Sequence, residues 1–535
     1  MLLLGTICVE AQQRYTFNRQ DSLRGMLSPL RTCYDVTFYN LNVRINPTKK
    51  YIQGYNEIFF KVIEDFDKMQ VDLFENLQID SVIYKGKRLP YEREGNVVYV
   101  YFNNKLQKGS QSMIKFCYSG IPVVSVNPPW DGGFVWQKDS SNYDWVGVAC
   151  EGRGASLWWP CKDHLSDEPD SMSINIESPV HLYCVSNGNI RKRMDLDDGY
   201  ARHEWFVSYP INNYDVTINI GKYAIISEKY KCIDADTLPL NYYVLRYNLD
   251  KAKKHFSQIP KMLECYEKFF GKYPFKKDGF ALVEAPFWGM EHQEAIAYGN
   301  HYKNNDFGFD YIVVHESAHE YFGNAITCKD HAELWIHEAF ATYAEVLFVE
   351  YTQGKPAAQL YLNQMKEKIR NKEAILGPLN VNYHGWQDAD MYYKGAWMLH
   401  TLRNVIDNDV LWFNILLGMS KDFKFKNVDT KQVVDYFNKK TILDLSNIFD
   451  VYLKNNQIPT LIYKLKQKGS NVVMKYKWKA NKNWFRMPFK ISFGENIDFR
   501  IYPTSNWNTE VFRDQDVDNV KLSTDLFYVN AQKIH

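Results

Sequence analysis

The sequence predicts a multidomain α+β protein, because its hydrophobic pattern changes twice along the chain. From residue 14 to about 247, apolar and polar residues alternate, as they do on half-buried strands. From residue 248 to about 457, apolar residues recur every three or four positions, as on the buried face of a helix. From residue 458 to 535 the alternation returns. We therefore expect an N-terminal β domain, a central domain with helices and strands, and a small C-terminal β domain.

The N-terminal β domain is indicated by short alternating runs. Leu41, Val43 and Ile45 alternate with polar residues, and further apolar runs cover residues 55–62 and 97–102. The C-terminal β domain shows the same pattern in three runs, which cover residues 461–465, 472–476 and 489–493.

The central domain is expected to contain at least three helices before its midpoint. The apolar spacing predicts one helix from Ala252 to Phe270, which Gly271 ends. A second helix is expected around residues 311–322, followed by Gly323-Asn324 as a stop. A third pattern runs from about residue 331 to 351.

Composition excludes some partners and leaves the compartment open. The formal net charge is +1, so neither a nucleic acid nor a membrane surface is implied as a partner. No run is long and apolar enough to span a bilayer.

Residues 1–13 resemble the end of a signal peptide that lacks its basic part, which predicts a secreted or periplasmic protein, with the cytoplasm as the alternative. The nine cysteines form no C-x-x-C pair and do not decide the redox environment.

The stretch with the clearest chemistry is H-E-x-x-H at residues 315–319, followed by Glu338 after a gap of eighteen residues. On a helix, His315 and His319 lie one turn apart on the same face, so both imidazoles can bind one metal ion. Glu338 lies in the middle of the next predicted helix, which an antiparallel turn brings against the histidines. Three protein ligands and an open position are typical of a catalytic zinc site, with Glu316 as the general base beside it.

Five stretches in the same order resemble the aminopeptidase N and leukotriene hydrolase family of zinc metallopeptidases, the H-E-x-x-H-18-E gluzincins. Two of them, HESAHEYFGN at 315–324 and LWIHEAFA at 334–341, surround the metal motif. WGMEH at 288–292 stands where the family has G-x-M-E-N, and YYKGA at 392–396 matches its Y-x-K-G-A. WPCKD at 159–163 matches its P-C-x-D. The resemblance runs from about residue 30 to the end and is that of a short form without the large C-terminal helical domain.

The resemblance implies a fold and a reaction. The implied fold is a saddle-like N-terminal β-sheet domain at 14–247, a thermolysin-like zinc catalytic domain at 248–457 and a C-terminal β-sandwich at 458–535. The implied enzyme is a zinc aminopeptidase that uses one Zn²⁺ per chain to remove the first residue from peptides with a free N-terminus. The cleft is expected to be either more open than in longer members of the family or closed by a partner protomer in a homo-oligomer.

The resemblance also implies a role for individual residues. Glu291 and Glu151 would hold the α-ammonium group, for which carboxylates are the natural partners. Tyr392 would donate a hydrogen bond to the oxyanion, while the adjacent Tyr393 is expected to point about 100° away on a helix. Gly289 and Met290 would run beside the peptide like an added strand, and Glu345 would orient a histidine from behind.

The chain departs from the family pattern at Trp288, His292 and His337, and we expect the first two to lie near the substrate. Two alternatives stay open: a zinc endopeptidase with the same chemistry, and a non-catalytic peptide-binding scaffold. The preferred first residue, the peptide length and an epoxide-hydrolase side activity are not decided by the sequence.

Overall fold

The protein is mixed α+β, as the sequence predicts. The structure, a computed structural model, describes residues 17–482, 484–494 and 497–534, and the expected signal-peptide remnant at 1–13 lies outside these residues. Within them the strands form seven sheets. No described helix is long and apolar enough to span a membrane. The eight described cysteines are unpaired.

The N-terminal half is built from two short helices and fifteen strands. They are α1 (Arg19–Gly25), α2 (Pro29–Thr32), β1 (Tyr34–Asn46), β2 (Tyr51–Val62), β3 (Phe66–Asp72), β4 (Leu77–Tyr84), β5 (Lys87–Arg88), β6 (Tyr91–Glu94), β7 (Val97–Leu106), β8 (Gln111–Gly120), β9 (Gly133–Lys138), β10 (Asp144–Ala149), β11 (Ser171–Pro179), β12 (Tyr183–Ser186), β13 (Asn189–Asp195), β14 (Tyr200–Val207) and β15 (Ile218–Gly221).

These strands form three sheets of eight, four and three strands. The orders are β13-β14-β11-β1-β2-β8-β4-β5, β12-β15-β10-β9 and β3-β7-β6. In the largest sheet β1 pairs with β2 antiparallel and with β11 in parallel. Buried and partly exposed residues alternate along much of β1, because one face of the strand packs on the core.

A five-stranded sheet follows, interrupted by two helices. Its elements are β16 (Tyr223–Lys231), β17 (Thr237–Leu245), α3 (Leu249–Phe256), α4 (Ile259–Phe270), β18 (Phe280–Glu284), β19 (Gly289–Met290) and β20 (Ile296–Tyr298). The strand order is β16-β17-β18-β20-β19, which leaves β19 at one edge. The sheet thus uses strands from both sides of residue 247, and the domain boundary expected there stays a prediction.

The single helix predicted from Ala252 to Phe270 is two helices, α3 and α4. The break falls at Ser257 and Gln258, and Pro260 lies in the first turn of α4. Proline has no backbone N–H and its ring clashes with the preceding turn, so it fits at the start of a helix but not in its middle.

The remaining residues form helices and then C-terminal strands. They are α5 (Tyr311–Ala318), β21 (Ile326–Cys328), α6 (Trp335–Gln353), α7 (Lys355–Lys366), α8 (Asp390–Ile406), α9 (Asp409–Asp422), β22 (Lys426–Val428), α10 (Thr430–Thr441), α11 (Ser446–Lys454), β23 (Thr460–Lys468), β24 (Asn471–Lys479), β25 (Phe489–Phe493), β26 (Asp498–Ile501), β27 (Asn508–Phe512), β28 (Val520–Leu522) and β29 (Asn530–Lys533). The last seven strands form two sheets, β27-β24-β23-β29 and β26-β25-β28.

Two apolar cores hold these elements together. One extends from Cys33 to Ala297 and joins the N-terminal strands to the strands that surround the site. The other extends from Ile226 to Val529 and unites the helices with the C-terminal strands. Helix α6 is buried over most of its length, and each fully buried large apolar side chain contributes about 1.5–3 kcal/mol. The helix therefore provides a rigid support for the side chains that it presents to the site.

Candidate active site

Helix α5 is fixed at its start by Asp310. The Asp310 carboxylate accepts hydrogen bonds from the backbone N–H groups of Ile312 and Val313, which otherwise have no partner inside the helix. The same carboxylate contacts His255 and accepts a hydrogen bond from Tyr298. The helix therefore begins at a defined residue, and its last turn presents the histidines in a fixed direction.

The structure brings His315, His319 and Glu338 together. The His315 and His319 Nε2 atoms are 3.2 Å apart, and Glu338 Oε2 lies 3.3 Å from the first and 3.5 Å from the second. All three side chains are buried. Glu338 lies in the first turn of α6, not in the middle of a helix as predicted, because residues 331–333 form a separate 3₁₀ turn.

The Nδ1 atom of each histidine, which faces away from the cluster, has its own hydrogen-bond acceptor. His315 Nδ1 lies 2.7 Å from Glu345 Oε1, and Glu345 also accepts a hydrogen bond from the Tyr361 hydroxyl. His319 Nδ1 lies 2.9 Å from the backbone carbonyl of Phe322. When Nδ1 donates its proton to these acceptors, the lone pair of each Nε2 faces the cluster. Two imidazole nitrogens and a carboxylate oxygen converging on one point fit a zinc ion.

The carbonyl partner of His319 depends on an irregular turn. After α5 the chain forms a wide turn over Glu320–Asn324, in which Phe322 and Gly323 leave helical geometry. Gly323 has φ 140°, a conformation that favours glycine. A Cβ at this position would lie 3.1 Å from His319 Nδ1. The sequence predicted Gly323 as a helix stop, but not the carbonyl that the turn aims at His319.

Opposite charges in the cluster shift its pKa values. Burial alone would raise the pKa of Glu338, but the neighbouring histidines hold it below its usual value. Burial would lower the pKa of His319, but Glu338 and Glu291 raise it to about 9. Burial raises the pKa of Glu316 to about 7, where a carboxyl group can both accept and return a proton near neutral pH.

Glu316 faces the edge strand β19. A Cβ on Gly289 would lie 2.7 Å from Glu316 Oε1 and 2.8 Å from Ile312 Cγ2, so only a glycine lets the strand approach this closely. Met290 follows in the same strand and is buried. Both residues line the main cavity, with their backbone beside the candidate base.

Two further carboxylates adjoin the cluster. Carboxylate oxygens of Glu151, Glu291 and Glu338 lie within 4.8 Å of one another. Glu291 accepts a hydrogen bond from the Tyr214 hydroxyl at 3.3 Å, and its backbone carbonyl accepts one from Asn324 at 2.8 Å. Burial raises the pKa of both Glu291 and Glu151, and in Glu151 the charge of Glu291 adds to the effect. Like charges this close repel each other unless one carboxyl group is protonated or a cation lies between them.

Tyr392 lies in the first turn of α8 and lines the cavity. Its ring is 5.9 Å from that of His315, with the planes inclined by 30°. Burial keeps the pKa of its hydroxyl well above the usual value, so the hydroxyl remains a proton donor. Tyr393 also lines the cavity, contrary to the expectation that it points away, and Lys368 lies over its ring.

The cavity has a volume of about 630 Å³ and contains all ten predicted site residues in its wall. They are Glu151, Gly289, Met290, Glu291, His315, Glu316, His319, Glu338, Glu345 and Tyr392.

Among the three departures from the family pattern, Trp288 also lines the cavity. His292 does not: it is fully buried, neither of its ring nitrogens has a hydrogen-bond partner among the described residues, and its ring lies 6.4 Å from that of Phe287. The expectation that His292 lies near the substrate is therefore wrong. His337 is also buried, and its Nε2 accepts the backbone N–H of Cys328 at 2.8 Å.

A sequence profile described as the peptidase family M1 domain matches residues 254–452, the part of the chain that carries the histidines, Glu338 and Tyr392. This range of the chain therefore carries an M1 peptidase domain. Its sequence is similar to endoplasmic reticulum aminopeptidase 1 of Rattus norvegicus, with 23% identity over 57% of this chain and 34% of the relative. It is also similar to glutamyl aminopeptidase of the same species, with 21% identity over 69% of this chain and 40% of the relative. The chain thus spans only about a third to two fifths of the length of these relatives.

Solved structures share the fold of this chain. A two-domain M1 zinc metallopeptidase bound to L-tryptophan matches 81% of this chain and 96% of its own, with a TM-score of 0.70 and 19% identity. An M1 zinc metallopeptidase from Deinococcus radiodurans, bound to a Tyr-Ser-Ala substrate, matches 79% of this chain and 95% of its own, with a TM-score of 0.68 and 19% identity. The likeness covers the mixed α+β architecture.

Proposed function

We propose that this M1 chain is a zinc aminopeptidase that hydrolyses the first peptide bond of peptides with a free N-terminus. One observation carries the proposal: the metal-ligand set shares a single cavity with two carboxylates, Glu291 and Glu151, and neither forms a salt bridge with a lysine or arginine among the described residues. A metal ion accounts for His315, His319 and Glu338, and a substrate ammonium accounts for Glu291 and Glu151.

The metal would be held by His315, His319 and Glu338. A bound zinc ion makes water a stronger nucleophile at neutral pH and polarises the peptide carbonyl. Glu345 and the Phe322 carbonyl hold the two imidazole rings in the orientation that this binding needs.

Glu316 moves the proton in the proposed reaction. Its carboxylate lies beside the Gly289 backbone and the metal ligands, where it can take a proton from the attacking water and pass it to the leaving amine. The Tyr392 hydroxyl, which stays protonated, donates a hydrogen bond to the oxygen that becomes negative in the transition state. Glu316 is buried and Tyr392 partly buried, and both line the cavity beside the metal ligands.

Glu291 and Glu151 set the register of the substrate. They bind the α-ammonium, and the bond next to it then falls beside Glu316. Gly289 and Met290 form an edge strand, whose backbone can pair with an extended peptide. A peptide that passes through the site without a free N-terminus would leave both carboxylates buried and unpaired, which disfavours an endopeptidase.

The relatives support this proposal because two of them are named aminopeptidases, and one solved M1 metallopeptidase holds a tripeptide substrate.

We further propose that the chain divides into a saddle-like N-terminal sheet domain, a thermolysin-like catalytic domain and a C-terminal β-sandwich. The five-stranded sheet supports a first boundary before Tyr223, not at 247. A secreted or periplasmic location, with the cytoplasm as the alternative, and a homo-oligomer remain proposals. Cell fractionation and light scattering would test them.

The proposal is tested with two peptides that differ only in N-acetylation, assayed with and without a chelator. We expect cleavage of the free peptide alone, lost with the chelator and restored by zinc. Equal cleavage of both peptides would refute the roles of Glu291 and Glu151 and favour an endopeptidase. If the zinc-loaded protein cleaved no peptide from a broad panel of first residues, a peptide-binding scaffold would replace the enzyme.

A further inference from the structure

Two tryptophans form one wall at the mouth of the cavity. The Trp130 and Trp288 rings have their centroids 6.0 Å apart and are inclined by 57°. Their exposed fractions are 55% and 43%, and both residues line the cavity. Large apolar side chains are usually covered in a folded protein, so an exposed aromatic pair at a cavity mouth indicates an apolar ligand group.

The position of Trp288 along its strand identifies which part of a peptide would reach it. Gly289 lies against Glu316, where the bond is hydrolysed, and Glu291 lies two residues further on, where the ammonium binds. Trp288 precedes Gly289 and therefore lies on the opposite side of the reacting bond from Glu291. An extended chain advances about 3.3 Å per residue, so the residue after the bond comes beside Trp288.

The Trp288 ring is held in place by Asn300 and by residues at the start of helix α5. Its Nε1 donates a hydrogen bond to Asn300 Oδ1 at 3.2 Å, and Asn300 Nδ2 donates to Asp310 Oδ1 at 2.8 Å. Asp310 is the residue that caps α5. The Tyr311 ring, at the start of the same helix, lies 5.7 Å from the Trp288 ring. The aromatic surface is thus positioned relative to the metal site before a peptide binds, which lowers the entropy cost of binding.

We propose that Trp288, with Trp130 packed against it, selects peptides whose second residue carries an aromatic or large apolar side chain. The inference rests on the proposed aminopeptidase function and adds a specificity-determining residue to it. Trp130 extends the same wall towards Glu151, since its backbone carbonyl lies 3.9 Å from a Cβ built on Gly152. Aromatic contact together with burial of an apolar side chain corresponds to about a tenfold preference.

The test compares kcat/KM for Leu-Phe-Gly and Leu-Gly-Gly, with leucinamide as a substrate that has no second residue. We expect the zinc-loaded wild type to prefer Leu-Phe-Gly by about tenfold. Trp288→Ala is expected to reduce this ratio to about two, Trp130→Ala to an intermediate value, and Trp288→Phe to preserve most of it. Trp507→Ala is the matched control, because Trp507 is 45% exposed but does not line the cavity, and it should leave the ratio unchanged.

Melting temperature and zinc content establish that each variant is folded and loaded. If Trp288→Ala does not fold, the ratio of Trp130→Ala decides. A wild type that hydrolyses leucinamide without preferring Leu-Phe-Gly, or alanine variants of Trp288 and Trp130 that keep the wild-type ratio, would overturn this inference and leave the aminopeptidase proposal standing. A zinc-loaded wild type that hydrolyses none of the three substrates would refute the proposed function itself.

Discussion

Replacing Glu291 by glutamine is expected to lower kcat/KM for a free tripeptide by about 30-fold. At an effective dielectric constant of about 20, a carboxylate and an ammonium about 4 Å apart attract each other by about 4 kcal/mol. Glu151 and Glu291 adjoin the same point, so the ammonium keeps one partner when the other loses its charge. The Glu291 attraction is lost, but the glutamine oxygen still accepts a hydrogen bond from the ammonium, which retains about 2 kcal/mol. The net loss is then ~2 kcal/mol, which corresponds to about a 30-fold lower kcat/KM.

The assay follows leucine release from Leu-Gly-Gly and from its N-acetylated form. Glu294→Gln provides a matched control, since Glu294 is buried three residues further on but does not line the cavity. Burial raises the pKa of Glu294 well above its usual value, which favours the neutral acid that glutamine resembles. The control should keep wild-type activity on the free peptide.

A Glu291→Gln variant that retained zinc and cleaved the free peptide at the wild-type rate would refute the reasoning. Equal losses of activity in Glu294→Gln and Glu291→Gln would also refute it. Such a result would mean that replacing any buried glutamate near the site lowers activity, whether or not that glutamate contacts the substrate. A loss confined to the free peptide, with zinc content unchanged, is the expected result.

Three further changes test other parts of the site. Tyr392→Phe should lower kcat by about 100- to 1000-fold, while Tyr393→Phe should have little effect; equal losses would exclude Tyr392 as the particular donor. Glu345→Ala should weaken zinc binding by about 10- to 100-fold in a chelator competition, and an unchanged affinity would contradict its orienting role. The pKa values of His315 and His319 are raised, that of His319 to about 9, so protons compete with zinc for these imidazoles. Zinc must displace these protons, so its affinity should rise from pH 6 to pH 9, as calorimetry in several buffers can measure; a flat profile would contradict the raised pKa values.

The metal-ligand set was predictable because its geometry is mostly local. His315 and His319 are four residues apart on one helix, and a glutamate in the next helix needs only a short turn to reach them. Glu291, Glu151 and Tyr392 came from resemblance alone, since nothing local distinguishes them from other glutamates and tyrosines. Their proximity depends on loops and strands that only the folded chain brings together.

Other parts of the site could not be predicted because they depend on tertiary packing. The hydroxyl of Tyr361 on Glu345, and that of Tyr214 on Glu291, come from elements far away in sequence. His292 was expected beside the substrate because of its place in a motif, but motif position does not determine on which side of the chain a residue is buried. The break between α3 and α4, by contrast, has a local signal in the sequence, because Pro260 fits only in the first turn of a helix. The regular spacing of apolar residues across the break concealed this signal.

The five-stranded sheet limits how the chain can be shortened. A catalytic fragment that begins after residue 247 would lack β16 and β17 and would expose the edge of β18, where residues 240–243 pair with residues 280–283. Exposed strand edges with free N–H and C=O groups recruit other chains, so such a fragment would aggregate during expression. A minimal catalytic fragment, or a transplant of this site into another scaffold, must therefore begin upstream of Tyr223 and include sequence from outside the conventional peptidase domain.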